Sequence, residues 1–160
     1  MKTFCLQSDI KEIAEDIAED TEIFTEEIAT LENHNDEINL SDLSCLFIDD
    51  SVDTQLLFKS QMSDFKYLKI CSNLTEAIPF LSKHNFDLVI VDVNLNDTYN
   101  GLDALKIIRQ FDNYKSTPII AVTAYSFEGD KKKFINFGFT DYLAKPLFRE
   151  HLLRSLEVII

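Results

Sequence analysis

The sequence predicts a doubly wound α/β domain: a five-stranded parallel sheet between two layers of helices. Three observations predict it. Five short apolar runs recur along residues 43–160, and segments of helical period alternate with them. The runs are continuously apolar rather than alternating, as in strands buried on both faces. Glycine and proline number only three each, too few for a turn-rich β-sandwich.

The elements follow in order. Leu43–Ile48 is the first strand, and it runs into Asp49-Asp50. Tyr67–Cys71 is a shorter second strand. Leu88–Val91 runs into Asp92, Ile119–Val122 follows Pro118 and runs into Thr123, and Tyr142–Ala144 runs into Lys145-Pro146. Helical period predicts helices over about 52–63, 73–84, 101–111, 127–137 and 147–158. Gly101 and Gly138 punctuate helix boundaries, while Gly129 falls near the start of the fourth helix. Right-handed crossovers then give five βα units in a three-layer sandwich.

Residues 1–42 differ from the rest. They hold 13 acidic and two basic residues, whereas residues 43–160 hold 15 and 13. Nearly all of the net charge of −13 therefore sits in an N-terminal extension. From Asp9 to about Leu31 it reads as an acidic helix, with Ile10, Ile17, Phe24 and Leu31 spaced every seven residues and Asp20 and Glu27 interrupting the second apolar position. Ser8 or Asp9 caps it. Such a stripe serves as half of a coiled coil, as a docking face, or as a solvated helix weakened by acid pairs such as Glu12–Asp16. The polar stretch Asn33–Asn39 reads as a hinge. The expected division is 1–42, extension or linker, and 43–160, the folded domain.

Composition excludes several function classes. A hydrophobic content of 46% fits a packed globule. Binding nucleic acid needs clustered Lys and Arg, and an anionic membrane surface would repel the tail. No apolar run reaches the roughly 18 residues of a membrane span, and no secretory leader is visible. Cys5, Cys45 and Cys71 are odd in number and lack CxxC spacing. The expectation is a reduced, cytoplasmic compartment.

In open parallel sheets, sites form outside the carboxyl ends of the strands. Asp49, Asp50, Asp92, Thr123 and Lys145 all fall there. Singly, an Asp at a βα junction is a common helix cap and a Lys before Pro a surface residue. Four strands supplying such residues at the same end is a different matter. Three carboxylates brought together repel, and would share protons or bind a cation. Oxygen ligands suit Mg²⁺ or Mn²⁺ rather than zinc. An ammonium and a hydroxyl beside them suit a phosphoryl group, which an Asp can carry covalently.

The stretches CLFIDDS (45–51), DLVIVDVNL (87–95), GLDALKIIR (101–109), PIIAVTAYS (118–126) and DYLAKPL (141–147) resemble the receiver domain of bacterial two-component response regulators, of the single-domain chemotaxis type. The resemblance covers about residues 43–160. It implies a flavodoxin-like fold with strand order 2-1-3-4-5. It implies Asp92 as phosphoacceptor, and Asp49, Asp50, Asp92 and the backbone carbonyl of Asn94 as the Mg²⁺ shell, with Mn²⁺ as a substitute. It implies Lys145 on the phosphoryl group, a cis Lys145–Pro146 bond, and Thr123 and Tyr142 as switch residues, with Ala124 leaving the approach open. The implied partners are a sensor histidine kinase or histidine phosphotransfer protein, docking near the helix that follows Asp50, and a downstream protein target.

Two departures stand out: Asn96 occupies a position where the family commonly has proline, and the stretch Asn96–Asn100 is one residue longer than usual. Lys131-Lys132-Lys133 reads as a solvated face or as a contact for an acidic partner. His34, His84 and His151 fall outside the strand ends. The chain has no room for an output domain, so it is expected to act alone by protein contact or to derive from a longer hybrid kinase; starting at Met1 favours the former. Two other readings exist. A phosphohydrolase with an Asp nucleophile needs a second carboxylate two residues on, where Asn94 stands. A scaffold would form a homodimer through the N-terminal helix and use little phosphorylation.

Overall fold

The computed structural model describes residues 38–124 and 130–160. The N-terminal helix expected over residues 9–31 lies outside them. A 3₁₀ turn, Leu40–Asp42, capped by the Asn39 side chain, leads into β1 (Ser44–Ile48). Then follow α1 (Val52–Gln61), β2 (Tyr67–Cys71), α2 (Leu74–Lys83), β3 (Leu88–Asp92), α3 (Gly101–Ile108), β4 (Ile119–Thr123), α4 (Asp130–Phe137), β5 (Asp141–Ala144) and α5 (Arg149–Ile159). The sheet is parallel throughout, in the order β2-β1-β3-β4-β5.

Strand periodicity sorts the core into two layers. Leu46, Ile48, Val89, Val91, Ile119 and Ala121 face one side, against Leu74, Ala77 and Leu81 of α2 and Ala104, Leu105 and Ile108 of α3. Cys45, Phe47, Leu88, Ile90, Ile120 and Val122 face the other, against Phe58 of α1 and Leu152 and Leu156 of α5. Phe47 stacks on Phe58 at 4.2 Å between ring centroids. Both faces of β1, β3 and β4 are thus covered, which is why these strands read as continuous apolar runs. Each fully buried large side chain contributes about 1.5–3 kcal/mol.

Helix ends depart from the sequence reading in explicable ways. α3 stops at Ile108, short of 111: the backbone tightens to i→i−3 bonds, Gln110 N to Ile107 O and Phe111 N to Ile108 O, and Arg109 Nη1 donates to the carbonyls of Tyr114 (2.6 Å) and Thr117 (2.7 Å) in the segment that follows. A 3₁₀ turn, Asp112–Tyr114, follows. α4 is described from Asp130; the residues expected to begin it lie outside the described set. It ends in a Schellman turn at Gly138, φ 109°, where Phe139 N donates to Phe134 O and Gly138 N to Ile135 O. α5 starts at Arg149 rather than 147, after a cis Lys145–Pro146 bond and a buried Leu147.

Candidate functional site: a carboxylate pocket at the strand ends

Parallel pairing brings the carboxyl ends of β1, β3, β4 and β5 to one edge. Asp49 is the first residue past β1, held by its N–H donating to Cys71 O at 3.1 Å. Asp92 ends β3 and Thr123 ends β4. Lys145 follows β5, with its N–H on Thr123 O at 2.8 Å. Helix capping does not occupy these aspartates. Ser51 caps α1, and Asn100 caps α3 through a capping box with Asp103.

The side chains converge. Lys145 Nζ lies 2.6 Å from Oδ2 of Asp49 and 2.7 Å from Oδ2 of Asp92. Asp49, Asp50 and Asp92 each present an oxygen within 4.8 Å of the others. Asp49 is fully buried and Asp92 is 4% exposed. The Ser51 N–H donates to Asp49 Oδ1 at 2.9 Å, and the Asn94 N–H to Asp92 Oδ1 at 2.9 Å. Burial pushes the Asp49 carboxyl up from its ordinary pKa, against the bonds from Lys145 and Ser51. Burial also opposes the Lys145 charge, but the bonds to Asp49 and Asp92 outweigh it and hold that pKa above the usual lysine value.

Three carboxylates against one ammonium leave a local excess of two negative charges. Asp49 Oδ2 is buried, and its partner is the Lys145 ammonium at 2.6 Å. A hard, oxygen-seeking divalent cation fits that charge and the all-oxygen cluster, and Mg²⁺ is of that kind.

Thr123 is buried, and its Oγ1 accepts from Asn94 Nδ2 at 2.7 Å. Tyr142, on β5, is half-buried with its ring stacked on Phe134 of α4 at 5.2 Å. Every residue singled out from the sequence for the site therefore lies at this edge or, for Tyr142, on the strand leading to it. Two contributors were missed. Gln55 Nε2 donates to the Asp49 carbonyl at 2.6 Å, one helical turn into α1. Asn96 donates twice to Asp50. The sequence signal for Asn96 was its standing in a proline position; Gln55 gave none.

Fold and pocket together define an α/β sandwich that presents an acidic cluster and a lysine at its carboxyl edge. The chain belongs to the response regulator receiver domain family, whose sequence profile matches residues 45–157. It is 31% identical over 111 residues to the signal transduction histidine-protein kinase BarA of Escherichia coli K12, covering 69% of this chain and 12% of that protein. It is 29% identical over 115 residues to the polar-differentiation response regulator DivK of Brucella anthropi, covering 71% and 93%. Among solved structures, the chemotaxis protein CheY4 of Vibrio cholerae superposes with a TM-score of 0.66 at 28% identity, covering 74% of this chain and 98% of that one. The receiver domain of the sensor histidine kinase PA1611 of Pseudomonas aeruginosa, solved with a magnesium ion in its active-site cleft, gives 0.64 at 27%, covering 73% and 96%. This chain is thus a two-component receiver domain of flavodoxin-like fold. Among the described residues, no helix is long and apolar enough to cross a membrane.

Proposed function

We propose that Asp92 accepts a phosphoryl group from a phosphohistidine of a sensor histidine kinase or histidine phosphotransfer protein. The observation that carries this is the nearly buried Asp92 carboxylate, 2.7 Å from Lys145 Nζ and grouped with Asp49 and Asp50. Asp49, Asp50, Asp92 and the Asn94 carbonyl would hold Mg²⁺, with Mn²⁺ as a substitute. The ion would neutralise phosphoryl charge as the P–N bond breaks and the P–O bond to Asp92 forms.

This chain's own residues do the rest. Asp92 is the nucleophile. Lys145, held protonated by its two carboxylates, supplies a point charge to a phosphoryl oxygen. Attack by water returns Asp92 and inorganic phosphate. Thr123 exchanges its present bond from Asn94 for one to the phosphoryl group, and Tyr142 fills the space released. The stack on Phe134 then changes, and with it the face that α4 and β5 offer a downstream protein. Completing such a switch takes about 5.5 kcal/mol of differential stabilisation. Val52 and Leu56 expose apolar surface on α1, next to the pocket, where a helix of the donor would dock.

On this reading the protein is a stoichiometric acceptor with self-dephosphorylation, not an enzyme turning over a free substrate. A phosphohydrolase is disfavoured because Asn94, not a carboxylate, stands two residues past Asp92. We read residues 1–42 as an acidic extension or linker and 43–160 as the receiver, working in the cytoplasm without membrane or nucleic acid as partner. Homodimerisation through the extension is a separate property, tested by sedimentation with and without residues 1–40. The functional test is mass spectrometry after incubation with Mg²⁺ and a small phosphodonor. The mass rises by one phosphoryl group; Asp92→Asn abolishes the gain. A folded, unsubstituted chain of unchanged mass contradicts the proposal.

A further inference from the structure

Asn96 lies in the β3–α3 connection, four residues past Asp92. Its backbone N–H and its side-chain Nδ2–H both donate to Oδ2 of Asp50, each at 3.0 Å. Proline at this position would supply neither donor. Asp50 is the most exposed carboxylate of the acidic three, since Asp49 and Asp92 are buried. Among the described residues no other hydrogen bond reaches its carboxylate. Two neighbouring negative charges push such a side chain toward water. A pair of N–H donors on one oxygen opposes that push and fixes the carboxylate plane.

We infer that Asn96 is a positioning residue for the cation site, holding Asp50 in the cluster with Asp49 and Asp92. The inference rests on the reading of that cluster as a Mg²⁺ site. It also gives the departure from proline a physical consequence. The connection after β3 is tied by Asn96 to the acidic pair after β1, so the two loops that frame the pocket are hydrogen-bonded to each other. Groups that orient metal-binding carboxylates act mainly on affinity, and their loss costs about 10–100-fold. Asn96→Ala keeps the backbone donor, so the lower end applies.

The test is calorimetric titration of Mg²⁺ into the full chain, at a temperature where every variant is folded by circular dichroism. Asn96→Ala is expected to bind about tenfold more weakly than the unsubstituted chain. Asn96→Ser, which restores a short donor, is expected to fall between the two. A residue that served only the loop's own structure would lower the unfolding midpoint and leave the Mg²⁺ dissociation constant where it was. Equal or tighter binding by Asn96→Ala, including the case in which its two bonds merely compete with the cation for Oδ2, overturns the inference while leaving the metal site standing. Absence of Mg²⁺ binding by the unsubstituted chain overturns the metal reading, and this inference with it.

Discussion

Replacing Lys145 by Met leaves two buried carboxylates facing each other. Asp49 is fully buried, Asp92 is 4% exposed, and the lysine nitrogen sits within 2.7 Å of both. Without that ammonium, and without metal, the folded chain keeps both charges or protonates one group. Protonation bounds the loss. Holding a carboxyl of ordinary pKa near 3.9 protonated at pH 7 costs about 1.36 kcal/mol per unit, so about 4 kcal/mol. Deleting one partner of a buried ion pair typically costs about 3–5 kcal/mol, so the two routes agree. The deficit should therefore be about 4 kcal/mol at pH 7, a large share of the roughly 5–15 kcal/mol that stabilises a domain. At pH 5 the protonation cost falls to about 1.5 kcal/mol, and the deficit shrinks with it. The sign matches that of Asp49 in the unsubstituted chain. A carboxyl whose folded pKa is raised contributes stability below its ordinary value and loses it as pH rises through the folded value. Mg²⁺ at about 100 times its dissociation constant should restore about 2.7 kcal/mol. Urea unfolding at both pH values, with chelator and with Mg²⁺, measures all three. A deficit below about 1 kcal/mol at pH 7 without metal, or one that is the same at pH 5, refutes this electrostatic account.

Other predictions concern the support around the pocket. A Cβ on Gly101 would lie 2.5 Å from the Asp92 carbonyl oxygen and 2.6 Å from Val93 Cα, so Gly101→Ala should destabilise by about 1–3 kcal/mol in urea despite alanine's better helix propensity, and slow phosphoryl acceptance at the displaced Asp92. Burial pushes the Cys45 thiol well up, and burial with Glu76 nearby pushes Cys71 to about 12. In a Cys5→Ser background, a thiol reagent at pH 8 should therefore label neither until the chain unfolds, and fast labelling of the folded protein would show the burial to be wrong. Asp141 accepts from Ser155 Oγ and pairs with Lys131 at 2.7 Å. Burial raises its pKa, but the bonds from Lys131, Ser155 and the Tyr142 N–H outweigh that and leave it below the usual value. Its contribution is present above pH 3.8 and lost as pH falls through the lower folded value. Ser155→Ala should cost about 1–3 kcal/mol at neutral pH and move the acid unfolding midpoint upward.

The strands and the polar side chains at their ends were legible because both follow from one-dimensional pattern. A strand covered on both faces must be apolar along its length, as Leu46–Ile48, Val89–Val91 and Ile120–Val122 are. Asp49, Asp92, Thr123 and Lys145 stand immediately after or at the end of such runs, so the parallel sheet carries them to one edge. What was not legible depends on groups that meet only in three dimensions. Arg109 holds the segment after α3 by reaching carbonyls five and eight residues away. Tyr114 anchors its turn by donating to His84 O at 2.6 Å and accepting from Phe86 N at 3.2 Å. Asn96 reads as a loop residue until Asp50, 46 positions earlier, is placed against it. The same holds for Gln55, whose amide is a surface group by pattern and a prop for the Asp49 backbone in fact.

Chemical trapping tests the central claim most directly. Borohydride reduces an acyl phosphate of aspartate to homoserine, which marks the residue that carried the phosphoryl group. After treatment with Mg²⁺ and a phosphodonor, peptide sequencing should find homoserine at position 92. Homoserine at 49, 50 or any other aspartate, with 92 unmodified, would contradict the assignment of Asp92 as the acceptor.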